Sequence, residues 1–125
     1  MNENDLSYKI IGLAIEVHRH LGPGLLESAY ERALVYELQK AGLLVKTQCS
    51  VAYVYKEISI ENAFRADIVV NDLVVVEIKS VKELDPVHFS QTLTYLRLMN
   101  LKLALLMNFN EKVLKHGIHR IVNNL

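Results

Sequence analysis

Three residues near the middle of the chain have the types and spacing of a site that holds a divalent cation. Asp67 lies in the Val/Ile-rich segment RADIVV, and Glu77 and Lys79 lie in the next one, VVVEIKSV. Side chains alternate across a strand. Glu77 and Lys79 therefore share a face with Val75, while Val74, Val76 and Ile78 share the other. On the preceding strand, alternation groups Ala66, Ile68 and Val70, and sets Arg65, Asp67 and Val69 opposite. A two-residue loop at Asn71-Asp72 would put Asp67 across from Val76 and mix the apolar faces. A three-residue loop, or a bulge near the turn, pairs Ile68 with Val76 and Asp67 with Glu77. Burial should choose that register, because it keeps one face purely apolar. A structure with the two acids on opposite faces of the sheet contradicts it.

In that register the Asp67 and Glu77 Cβ atoms are about 5 Å apart. Two carboxylates so close repel unless positive charge sits between them, and Lys79 alone cannot satisfy both. A divalent cation can. Mg²⁺ takes oxygen ligands at about 2.0–2.1 Å and keeps several waters. The Ile78 carbonyl is a candidate extra ligand. The plainer alternative is a solvated strand face with an ordinary cross-strand ion pair.

The elements that position these residues follow from periodicity. Residues 5–21 carry Leu6, Ile10, Leu13, Ala14, Val17 and Leu21 at helical spacing, and Gly22-Pro23 stop the helix. Residues 25–41 form a second helix with a stripe of Leu26, Ala29, Ala33 and Leu34, Leu38 beyond, ended by Gly42. LVKTQCSVAYVYKEISI, AFRADIVV and LVVVEIKS then read as three strands. Asp85-Pro86 opens a third helix that runs to about Met99. KLALLMNF is a further strand, and HGIHRIV a weaker one at an edge. The order α-α-β-β-β-α-β-β predicts an α/β (α+β) chain with a mixed sheet flanked by helices.

The 125 residues fit one domain, 1–125, and the 51% hydrophobic content suits a globular core. With 14 basic and 14 acidic residues the formal charge is zero, which argues against coating nucleic acid by bulk charge. Cys49 has no internal partner, and no segment reads as a signal peptide or membrane span. A reduced, cytoplasmic setting without membrane partners is expected. The five histidines do not suggest zinc. His18 and His20 diverge on their helix, and His116 and His119 lack a cysteine partner. His88 opens the third helix and is expected at the surface.

Asp67 followed by Glu77-Ile78-Lys79 resembles the PD-(D/E)XK nuclease superfamily, whose fold is restriction-endonuclease-like. GLLESAY matches the GxxExxY signature of one family within it, at Gly24, Glu27 and Tyr30. RADIVV…VVVEIKSV, QTLTYL, LLMNF and GIHRIV also resemble that family's pattern, from about Ile10 to Val122. The first acidic motif departs at one position, with Ala66 where the superfamily name implies Pro. Proline has no role in binding metal, so the chemistry is untouched.

The resemblance implies Mg²⁺ or Mn²⁺ held by Asp67 and Glu77, with the Ile78 carbonyl and Glu27 supporting it. It implies Lys79 assisting the attacking water. Gln91 and Tyr95, four apart on the third helix, resemble a Q-x-x-x-Y element of nucleases in bacterial recombination helicase complexes. That makes Gln91 a catalytic and Tyr95 a substrate-binding candidate; Tyr30, from the GxxExxY signature, and Arg65, on the Asp67 face, are further substrate-binding candidates. Each has a bland counterpart: Glu27 as a helix-dipole partner, Tyr30 in the core, Gln91 and Tyr95 as a half-buried helical pair. Lys56, Lys82, Arg97 and Lys102 are further cations, more often solvated surface than phosphate contacts. The expected activity is metal-dependent phosphodiester hydrolysis on nucleic acid, DNA first. Specificity would come from a homodimer, a partner protein or nucleic-acid structure, since no sequence-reading module is present. The alternative is an inactive nucleic-acid-binding or protein-interaction module that retains the fold.

Overall fold

The computed structural model describes residues 1–125. Helix α1 spans Glu3–Leu21 and α2 spans Glu27–Lys40. Strands β1 (Val45–Tyr55), β2 (Ile58–Val70) and β3 (Val74–Lys79) follow, then helix α3 (Pro86–Met99). Strand β4 (Leu103–Asn108), a short 3₁₀ turn at Leu114–Gly117 and β5 (Ile118–Val122) complete the chain. The sheet order is β1-β2-β3-β4-β5, antiparallel except for the parallel β3–β4 pair that α3 connects. The element order is the one expected from periodicity. One strand boundary differs. The single strand read through residue 60 contains a turn at Lys56-Glu57, and residues 58–60 belong to β2. Lys56 takes a positive φ of 52° there, which its sequence does not advertise as Gly or Asn would.

α1 and α2 cover one face of the sheet. Leu6, Ile10, Ala14 and Val17 from α1 pack with Tyr30, Leu34 and Leu38 from α2 over the apolar face of β2, β3 and β4. The α2 stripe is therefore Tyr30-Leu34-Leu38, rotated from the expected one. Leu26 is exposed, because α2 begins only at Glu27. Leu21, expected in the α1 stripe, is also exposed at the helix end. Fully burying each large apolar side chain stabilises the fold by roughly 1.5–3 kcal/mol.

The other face carries α3 alone. Leu96 closes over Ala66, Val69, Val75 and Ala104, a cluster of 5 buried residues against 17 on the first face. Glu77 is buried near the C-terminal end of β3, and Lys79, which ends the strand, is half-buried.

The β2–β3 hairpin pairs Ile68 with Val76, Val69 with Val75 and Val70 with Val74. Its loop is the three residues Asn71, Asp72 and Leu73, with φ of 52° and 53° at the first two. This is the odd loop that a continuous apolar face requires. The face assignment holds for Val74, Val76 and Ile78 but slips at one point on β2. Ala66 packs under α3 with Val69, not with Ile68. The slip falls at Asp67, opposite Gln48, which adopts a left-handed φ of 49°.

Candidate active site

The main-chain pairing of β2 and β3 stops at Ile68 and Val76. Beyond it the two strands diverge, and carboxylates take over the bonding. The Asp67 N–H donates to Glu77 Oε1 at 3.1 Å. The Ile78 N–H donates to Asp67 Oδ2 at 2.8 Å. The acids thus meet in the gap between the strands, as the register demanded. The Lys79 carbonyl accepts from Phe109 N–H on the β4 side. Alternation then turns the main chain of Ile78 toward β2 and the gap, consistent with its N–H reaching Asp67.

Glu77 is buried, with 4% of its surface exposed. Burial first, and the Asp67 charge second, push its pKa up to about 8, against a smaller opposing pull from Lys79. The carboxyl therefore keeps its proton across the neutral range. Lys79 ends β3, half-buried, opposite Asn108 of β4.

α2 brings its acids from the other side. The Glu27 carboxylate accepts from the Ser80 N–H at a long 3.4 Å, and the Ser80 hydroxyl donates to the Leu25 carbonyl at 2.6 Å. These contacts pin the start of α2 to the end of β3. Glu31, one turn further on, accepts from Gln48 Nε2 at 2.8 Å. Its pKa is raised by burial, then by Asp67, with Glu27 adding less. Glu31 thus belongs to the acidic cluster, although sequence reasoning passed over it. The i,i+4 spacing from Glu27 was the available signal.

Tyr95 reaches the site from α3. Its pKa is raised by burial, then by the charges of Glu77 and Asp67. Its ring stacks on Phe64 of β2, centroids 4.1 Å apart and nearly parallel at 4°. Gln91 lies one turn earlier and is exposed. Arg65 is exposed beside Asp67 on β2 and has no ion-pair partner.

One expectation is corrected. Tyr30 is fully buried and cannot bind substrate. Its hydroxyl donates to the Gly22 carbonyl and accepts from the Leu25 N–H at 3.1 Å, and its ring stacks on Phe109 at 4.6 Å. It fixes the turn that delivers Glu27. His88, half-buried at the start of α3, accepts from the Asp85 N–H through its Nδ1 at 3.1 Å. A further residue was missed: Asn108, 1% exposed, accepts from Val81 N–H at 3.1 Å and donates to Val81 O at 2.9 Å. It braces the chain just past Lys79.

No three His, Cys, Asp or Glu side chains converge in a metal-holding arrangement. The donor chemistry nevertheless fits a hard divalent cation. Two carboxylates share one gap, one of them held protonated by the other and by burial, and Mg²⁺ needs only one or two protein carboxylates.

A family model of the PD-(D/E)XK nuclease superfamily matches residues 4–121. The chain belongs to that superfamily, and its five-stranded mixed sheet flanked by helices is consistent with a restriction-endonuclease-like fold. No curated protein and no solved structure matches it. No helix is long and apolar enough to cross a membrane.

Proposed function

We propose that the chain is a divalent-metal-dependent phosphodiesterase acting on nucleic acid, with DNA the first substrate to test. The observation that carries this is the meeting of Asp67 and Glu77 where β2 and β3 part, with Lys79 next along. Asp67, Glu77 and the Ile78 carbonyl are the groups that would hold Mg²⁺ or Mn²⁺, supported by Glu27. When bound, such an ion supplies an acidified water and a Lewis acid for the scissile phosphate. Lys79 offers an ammonium that orients the water or balances developing charge. Gln91 and Tyr95 would contact the substrate from α3, and Arg65 would contact a phosphate. The GLLESAY segment supports membership of the GxxExxY family, with Glu27 its acid and Tyr30 its structural tyrosine.

The test is Mg²⁺- and Mn²⁺-dependent cleavage of single- and double-stranded DNA and RNA. Wild type should cleave, and Lys79→Ala and Glu77→Ala should not. Equal behaviour of all three overturns the proposal. A non-catalytic nucleic-acid-binding module is the second reading, favoured by the zero net charge and the two-carboxylate site. Under it, Asp67→Asn changes neither divalent binding nor nucleic-acid binding.

A further inference from the structure

Strand β2 is 13 residues long, yet only its last three pair with β3. The β1–β2 ribbon therefore runs on beyond the body of the sheet as a two-stranded arm. Its register pairs Val51 with Phe64, shifts at an irregular stretch of β2 that holds left-handed Asn62, and then pairs Tyr53 with Ile60 and Tyr55 with Ile58. Cys49 packs under α3, so alternation puts Val51, Tyr53 and Tyr55 on that same side. Phe64, stacked on Tyr95, confirms the side for β2. One apolar, aromatic face thus starts at Tyr95, beside the acids, and continues outward through Phe64, Tyr53 and Ile60 to Tyr55 and Ile58. Nothing in the fold covers its outer end. Tyr55 is 51% and Ile58 57% exposed.

A polyanion has little electrostatic reason to stay on this chain. Net charge is zero, and the carboxylates of Glu27, Glu31 and Asp67 crowd the site. Affinity must come from something other than phosphate attraction. Stacking on aromatic rings is such a source, and only unpaired bases present their π-faces to it. At the tip the Lys56 ammonium lies 5.4 Å from the Tyr55 ring centroid, a cation at the edge of the face. We propose that the arm is a stacking platform for unpaired bases. The substrate then reaches the acids as a single strand, or as a single-stranded end or loop. This rests on the phosphodiesterase reading of the site and narrows its substrate class.

The test measures binding of labelled single-stranded DNA, single-stranded RNA and duplex DNA to the full chain in EDTA. Wild type should prefer a single strand over duplex by about tenfold or more, and Tyr53→Leu/Tyr55→Leu should lose that much affinity. Tyr53→Phe/Tyr55→Phe should keep it. The chain has no tryptophan, so single-strand binding should also quench wild-type tyrosine emission, a readout that stands even if the leucine pair fails to fold. Unquenched emission, equal affinity for duplex, or unchanged binding by a folded leucine pair overturns the platform. So does a wild-type dimer that the leucine pair converts to monomer with strand binding intact. Cleavage is scored separately. If wild type and the leucine pair cleave duplex equally well, the platform falls and the phosphodiesterase stands. If strands bind through the tyrosines but Mg²⁺ and Mn²⁺ give no cleavage, the reverse holds.

Discussion

Asp67 and Glu77 each bond to the main chain of the other's strand. Glu77 takes the Asp67 N–H, and Asp67 takes the N–H of Ile78, the residue after Glu77. The carboxylates thereby replace the ladder bonds lost where the strands diverge. The same exchange puts two acids in one buried gap, which is costly unless a proton or a cation joins them. The divergence and the cation demand are one feature of the fold.

The proton is measurable through stability. Folded Glu77 titrates near 8, whereas its ordinary value is 4.5. Between those values the folded state binds the extra proton, so metal-free stability falls as pH rises from about 4.5 to about 8. Glu77→Gln keeps an acceptor for the Asp67 N–H and cannot ionise. In EDTA its melting temperature should exceed wild type at pH 8 and converge with it near pH 4.5. The gap should be on the order of a few kcal/mol, or several degrees. A gap that does not change with pH refutes the shared proton.

Metal binding should expel that proton, because a carboxylate ligand must be ionised. Apparent Mg²⁺ or Mn²⁺ affinity should rise about tenfold per pH unit below 8 and level off above it. Calorimetry in two buffers of different ionisation enthalpy should show about one proton released per ion at pH 7. Glu77→Gln should release none. Proton-independent binding by wild type would place the ion elsewhere.

The hairpin register was legible because burial leaves no choice. Only a three-residue loop or a bulge keeps Ile68 and Val76 on one face, and that fixes Asp67 beside Glu77. The slip at Asp67 was not legible, since it depends on a left-handed Gln48 across the ladder. Tyr30 misled for a different reason. Its place beside Glu27 in the signature suggested substrate, yet it shares the i,i+4 core stripe of Leu34 and Leu38. Asn108 was hidden because a buried amide looks like any strand residue until its partner, 27 positions away, is known.

Tyr30→Phe separates those two roles for the tyrosine. It removes the hydroxyl that bridges Gly22 O and Leu25 N and leaves the stack on Phe109. Stability should drop by about 1–2 kcal/mol in denaturant unfolding. KM for nucleic acid should stay within twofold, roughly, of wild type, because the ring never meets solvent. A large rise in KM with unchanged stability would return Tyr30 to the substrate.

Asn108 and Gly117 together should govern how firmly Lys79 is held. Asn108→Ala strips Val81 of both main-chain partners, costing about 1–3 kcal/mol and freeing the segment that follows Lys79. A loosened ammonium lowers kcat more than it raises KM, since its work is done in the transition state. Gly117 acts from beneath. A Cβ there would sit 2.6 Å from the Asn108 carbonyl oxygen and 2.8 Å from Glu111 Cγ. The side chain of Glu111 can yield, but the β4 main chain cannot yield cheaply. Gly117→Ala should therefore push Asn108 away from Val81, with a loss of about 1–3 kcal/mol and the same kcat-weighted defect. Adding Gly117→Ala to Asn108→Ala should cost less than the two losses summed, because both act through one contact. Strict additivity in unfolding and kcat would show that Gly117 does not act through Asn108.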